Sequence, residues 1–70
     1  MKRLIVVEKS DNGFGAFAPD LPGCVAVGST REETERLMRE AIELHIEAMV
    51  KDGQPVPEAQ SYATYVVTAS

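Results

Sequence analysis

The chain has 70 residues, a net charge of −4 and a single cysteine. One domain of this size buries only about 60% of the surface its unfolded chain exposes, so its core alone is marginal and needs a supplement. Cys24 has no partner for an intrachain disulfide, Cys24 and His45 are too few soft or imidazole ligands for an ordinary zinc site, and an acidic surface disfavours unaided nucleic-acid binding. Self-association is left as the supplement, with no cofactor expected.

The N-terminus reads Met1-Lys2-Arg3, then the apolar run Leu4 to Val7, then Glu8. That run is far short of the ~7–15 apolar residues of a signal peptide. Nothing approaches the ~20 of a membrane span. A cytoplasmic protein with no membrane partner is expected. Leu4–Val7 is apolar on both faces and rich in β-branched residues, which predicts a first strand buried on both sides. Asn12-Gly13 predicts a hairpin turn, because both residues tolerate positive φ. Phe14 to Ala18 is the return strand, with Phe17 expected in the core.

Pro19 and Pro22 cannot donate to a ladder, so pairing must stop at them. Asp20 can cap a turn and Gly23 supplies permissive dihedrals. A stiff loop is predicted, with Leu21 at its apex. Cys24 to Val27 is the third strand. Thr30 with Glu33 then matches a capping box, and a helix is predicted from Thr30 to about Lys51, stopped by Gly53 and Pro55. At ~100° per residue, Thr34, Leu37, Met38, Ala41, Leu44, His45, Ala48 and Met49 share one apolar arc, which Ile42 widens at one edge. Glu32–Arg36, Arg36–Glu40, Arg39–Glu43 and Glu47–Lys51 are spaced for weak surface pairing. Ile46 and Val50 fall outside the arc and are read as oligomer contacts. Residues 54–58 form an extended connector, and Tyr62 to Thr68 is predicted as a fourth strand.

The element order β-β-β-α-β predicts one α+β domain over residues 1–70. Its mixed sheet should have the order 3-2-1-4, with strand four parallel to strand one through a right-handed crossover and the helix on one face. One helix covers one face. The other would still show apolar side chains, a patch larger than soluble monomers usually expose. A partner surface is therefore expected.

The stretch FGAFAPDLPGCVAVGSTREETERLMREAIELHIEAMVKDGQPVPEA, Phe14 to Ala59, resembles the HicB family of bacterial antitoxins. The shared motifs are the PDLPGC loop (Pro19 to Cys24), the helix start (Gly28 to Thr34), the helix core (Glu40 to Leu44) and the exit (Asp52 to Pro57). Thr34 stands where the family usually has alanine, and His45 where it often has tyrosine. The resemblance implies a truncated ribonuclease-H-like fold. It also implies a role in a type II toxin-antitoxin system, masking a small basic HicA-type toxin that cleaves messenger RNA. Many members carry a C-terminal DNA-binding segment. The sequence stops at Ser70, directly after the predicted fourth strand, so the short, UPF0150-type form is expected, without direct nucleic-acid binding.

A ribonuclease-H-like fold also raises a nuclease reading. Two-metal nucleases need several carboxylates converging on ions ~4 Å apart, and Leu4 to Val7 supply none, while Glu8 sits only at the strand end. No enzyme is expected. His45 and Cys24 are read as packed core residues. Pro19, Asp20, Leu21 and Pro22 serve either as a stiff corner or as a preorganised partner-binding contact, and Ile46 and Val50 as contacts in a homo-oligomer, dimer or tetramer. The alternative function is a stand-alone oligomeric module for protein interaction or ligand binding without a surviving toxin, which a genomic neighbourhood lacking a toxin-like frame would favour.

Overall fold

A computed structural model describes residues 2–67 of the chain. The elements are β1 (Val6–Ser10), β2 (Gly13–Phe17), β3 (Val25–Gly28) and α1 (Arg31–Lys51). The strands form an antiparallel sheet in the order β1-β2-β3. Val7, Ala16 and Ala26 lie in one cross-strand row, and Val6, Phe17 and Val25 in the next. Because side chains alternate across a strand, these two rows point to opposite faces.

β1 starts later than its hydropathy predicts and runs on through Glu8 and Lys9. Backbone pairing, not side-chain apolarity, sets its length. The two-residue link Asp11-Asn12 closes Ser10 onto Gly13, and every residue back to Val6 then finds a partner in β2. The turn sits one residue earlier than predicted, and neither Asp11 nor Asn12 has positive φ. Gly13 is needed for a different reason. A Cβ there would lie 2.4 Å from the Gly28 carbonyl oxygen, a backbone atom that cannot swing aside.

α1 starts and stops where its caps dictate. Thr30 is the N-cap, and its hydroxyl accepts the Glu33 N–H at 3.1 Å. The Glu33 carboxylate does not close the box. It accepts instead from the Ser29 hydroxyl at 2.9 Å. At the other end Gln54 N–H bonds Met49 C=O at 2.9 Å and Gly53 N–H bonds Val50 C=O at 3.1 Å, with Gly53 at φ 72. That is the Schellman arrangement, which needs the left-handed residue that glycine supplies without strain. Among the surface pairs, Arg36–Glu40 (3.7 Å) and Glu47–Lys51 (3.8 Å) form as expected and Arg31–Glu35 (3.9 Å) forms in addition. All are exposed and contribute a few tenths of a kcal/mol each.

The core lies between α1 and one sheet face. Ala16, Ala18, Leu21, Cys24 and Met38 are buried, with Ile5, Val7, Ala26, Ala41, Ile42, Ile46 and Met49 packed around them. The alanines of the central row let the helix settle close. Gly28 lets its first turn approach still closer, since a Cβ there would meet Thr34 Oγ1 at 2.5 Å. Thr34 is itself fully buried, and its hydroxyl is satisfied within the helix by the Thr30 carbonyl at 2.7 Å. Two core expectations are corrected. Phe17 is 40% exposed, because its parity places it on the face away from the helix. Leu44 and Ala48 are exposed, and Ile46, expected outside the arc, packs with Thr34, Met38 and Ile42. A 21-residue helix is about 32 Å long, whereas strands of four or five residues span about 17 Å, so α1 is longer than the strands it packs on.

The predicted fourth strand is absent among the described residues. Tyr62–Val67 carry no strand and pair with nothing, while Thr68 lies outside the described residues. Among the described residues the sheet is therefore purely antiparallel, and the position predicted for strand four, beside β1, holds no strand. Asp20, in the loop between β2 and β3, takes hold of Gln60 and Ser61.

Candidate partner-binding surfaces

The Pro19–Gly23 loop is stiffened from inside as well as by its prolines. Leu21 N–H donates to the Ala18 carbonyl and Cys24 N–H to the Leu21 carbonyl, both at 3.1 Å, and Ala18 N–H donates to the Cys24 carbonyl at 3.3 Å. This network turns the Leu21 side chain inward, where it is 1% exposed. The four residues grouped from the sequence as a partner contact thus divide. Leu21 is a core residue, buried among its neighbours rather than offered at an apex. Pro19 and Pro22 are exposed and rigid.

Asp20 has a role the sequence did not disclose. Its carboxylate accepts the Ser61 hydroxyl at 2.9 Å and the backbone N–H groups of Gln60 and Ser61 at 3.1 and 3.2 Å. Partial burial pushes this carboxyl up. The Ser61 hydroxyl, the two amides and the nearby Arg3 charge outweigh that and hold it below its ordinary value. Arg3 adds a second tie by donating from its guanidinium to the Pro57 carbonyl. No local pattern links positions some forty residues apart, so only the fold reveals this anchor.

On the face turned away from α1, Val6, Phe17 and Val25 stand side by side, followed by Glu8, Gly15 and Val27. Val25 is 63% exposed and Val27 76%. With no side chain at Gly15, this second row is low between Glu8 and Val27. The Pro19–Gly23 loop joins β2 to β3 at the Phe17–Val25 end of the patch. The bare apolar face expected from one helix on one sheet is therefore present, though small.

The helix positions separate in the same way as the loop. Ile46 is half-buried and packs against the core cluster, on the inner side of α1 rather than away from it. Val50 remains exposed near the end of α1. His45 is half-buried, and Cys24 is buried, which pushes its thiol up and away from the reactive thiolate form. Among the described residues, no three His, Cys, Asp or Glu side chains gather into a group able to hold a metal, and no helix is long and apolar enough to cross a membrane.

Three antiparallel strands followed by one helix, with an apolar sheet face left bare, define a small α+β domain with an exposed surface for association. Residues 4–69 match the family described as the HicB-like antitoxin of bacterial toxin-antitoxin systems, and the chain belongs to that family. It is 46% identical over 55 residues to a UPF0150 protein of Synechocystis, covering 77% of this chain and 70% of that protein. It is also 36% identical over 62 residues to a 14.9 kDa protein from the rep-hol intergenic region of Haemophilus phage HP1, covering 89% of this chain. The chain spans about half (47%) of that phage protein's length. Its structure is similar to a chain of the HicA3–HicB3 toxin-antitoxin complex, with a TM-score of 0.64 and 33% identity over 77% of this chain and 66% of that one.

Proposed function

We propose that this protein is a noncatalytic antitoxin that binds a small basic HicA-type ribonuclease in the cytoplasm and covers the surface the toxin uses on messenger RNA. The observation that carries this reading is the similarity to a chain of the HicA3–HicB3 complex within a family of antitoxins. The net charge of −4 supports it, because an acidic protein is steered toward a basic one and away from nucleic acid. The bare row Val6–Phe17–Val25, with Val27 beside it, supplies an apolar centre for an interface. Exposed Pro19 and Pro22 lie at its edge on a loop already held by internal hydrogen bonds, so docking would order little that is not already ordered. The truncated ribonuclease-H-like sheet, with a strand in fourth position, and a homo-oligomeric state belong to the same reading.

The test is co-expression with the short basic protein encoded beside this gene. The proposal expects the two to co-purify and the growth arrest caused by the basic protein to be relieved. Val27→Asp, which places a charge on the bare face without touching the core, should abolish both effects while the helical circular dichroism persists. Absence of a complex with the unaltered chain would overturn the antitoxin reading. Retention of the complex by the Val27→Asp variant would overturn the assignment of the face.

A further inference from the structure

Asn12 is the only asparagine in the chain, and Gly13 follows it directly. The two stand at the tip of the β1–β2 hairpin, where the Asp11-Asn12 link joins Ser10 to Gly13. Asp11 and Asn12 are both exposed, so water reaches the Asn12 carboxamide. The amide carbon of an asparagine lies within reach of the next residue's backbone nitrogen, and a bond between them closes a small, unstrained succinimide ring. A side chain on the following residue obstructs that attack, and glycine has none.

The fold explains why position 13 keeps no such shield. A Cβ there would lie 2.4 Å from the Gly28 carbonyl oxygen and 3.4 Å from both the Gly28 carbonyl carbon and Ser29 Cα, all backbone atoms. The close approach of β2 to the end of β3 demands glycine, and that glycine leaves Asn12 open to attack. The turn makes no matching demand on Asn12, since neither Asp11 nor Asn12 has positive φ.

The attacking nitrogen is also easily freed. Ser10–Gly13 is the last rung of the β1–β2 ladder. Ladder ends fray at little cost, and releasing the Gly13 nitrogen breaks no other rung. Asp52-Gly53 is the one other place where Asp or Asn precedes glycine. There the Gly53 nitrogen donates to the Val50 carbonyl at 3.1 Å, between the bonds of Asp52 to Ala48 and of Gln54 to Met49. Freeing it would undo the end of α1.

We propose that Asn12 is a site of spontaneous covalent modification, with water as the only co-reactant. The Gly13 nitrogen gives up its proton to solvent and bonds to Asn12 Cγ. The Cγ–Nδ2 bond breaks and ammonia leaves. Water then adds to either ring carbonyl and breaks that carbon's bond to the Gly13 nitrogen, which takes a proton back. Attack at Cγ yields aspartate on an unchanged backbone. Attack at the main-chain carbonyl yields isoaspartate, whose main chain runs through Cβ and Cγ and is one methylene longer. Either product adds one negative charge to the net −4. That charge arises at the hairpin end of the bare face, since Ser10 and Gly13 share the parity of Val6 and Phe17. Isoaspartate also lengthens a link whose next residue is wedged against β3, so the Ser10–Gly13 pair and the Gly28 approach are not both kept. The site stands independently of the antitoxin reading.

The full chain, held for days in mildly alkaline buffer at body temperature with and without urea, tests this. Isoelectric focusing reads the acidic form. Peptide mapping by mass spectrometry with electron-transfer fragmentation locates it and separates aspartate from isoaspartate. The expected result is an acidic form that maps to Asn12 and arises in the folded chain within about tenfold of its rate in the unfolded one. Asn12→Gln keeps an amide but would close a larger, slower ring, and should stay unmodified. Asn12→Asp reproduces the charge on a normal backbone and should keep the urea midpoint of the unaltered chain, whereas the isoaspartate fraction should unfold at lower urea. A folded chain that gains no acidic form, one slowed by more than that factor, or a gain that maps to Gln54 or Gln60 would each overturn the proposal.

Discussion

Leu21→Ala separates a core residue from a recognition residue in the loop between β2 and β3. Leu21 is 1% exposed and its side chain is among the largest fully buried in the described chain. Truncating such a leucine costs about 2–5 kcal/mol, the lost transfer free energy plus the cavity left behind. A chain of 70 residues has a total stability of about 4–10 kcal/mol, so the variant should lose roughly half of it. Val27→Ala is the matched control. It removes methyl groups that are already largely in water and should cost under about 0.5 kcal/mol. Urea unfolding followed by helical circular dichroism reads both midpoints, at one fixed protein concentration so that association affects them equally. The slope should stay constant while the Leu21→Ala midpoint falls. If Leu21→Ala shifts the midpoint no more than Val27→Ala but weakens partner binding, Leu21 belongs to a contact surface and the packing described above is wrong.

Other expectations concern the caps, the close approaches and the anchor. Thr30→Ala removes the acceptor of the Glu33 N–H and should cost about 0.5–2 kcal/mol, read from the same urea curves. Gly13→Ala forces a methyl to within 2.4 Å of a β3 carbonyl and should cost about 1–3 kcal/mol; an unchanged midpoint would show that the two strand ends do not approach as described. The Asp20 carboxyl is held below its ordinary value of 3.8. Its hold on Gln60 and Ser61 therefore stabilises the fold at all pH above that value and is lost as the pH falls through the lower folded-state value. The amide proton shifts of Gln60 and Ser61 should titrate together with a midpoint below 3.8, and Asp20→Ala should abolish that titration; a midpoint above 3.8 would contradict the anchor.

What the sequence displayed depended on the range over which each signal acts. The helix was legible to within a residue because its determinants are local: the Thr30 cap, the periodic apolar stripe, and Gly53 with Pro55 beyond it. The three strands and their antiparallel order were legible for the same reason, although the turn residues moved by one. Burial was less legible. Phe17 reads as core by composition, but strand parity turns it outward, and on α1 the packed stripe takes in Ile46 and leaves Leu44 exposed. Tyr62–Val67 has every local mark of a strand, yet it joins none of the described strands, and Ser61 just before it is held by Asp20 through contacts that no local pattern announces. The loop of Pro19, Asp20, Leu21 and Pro22 read equally as a stiff corner or a partner contact, and the separate internal contacts of Leu21 and Asp20 are visible only in the fold.

Toxin inhibition can be measured with purified components. A HicA-type ribonuclease is incubated with a labelled RNA and increasing amounts of this protein, and cleavage is followed on a gel. If the chain masks the toxin, cleavage should fall to background near stoichiometric amounts, and Val27→Asp should leave it running. Undiminished cleavage at a large molar excess of a folded chain that itself leaves the RNA intact would show that it does not act by covering a ribonuclease.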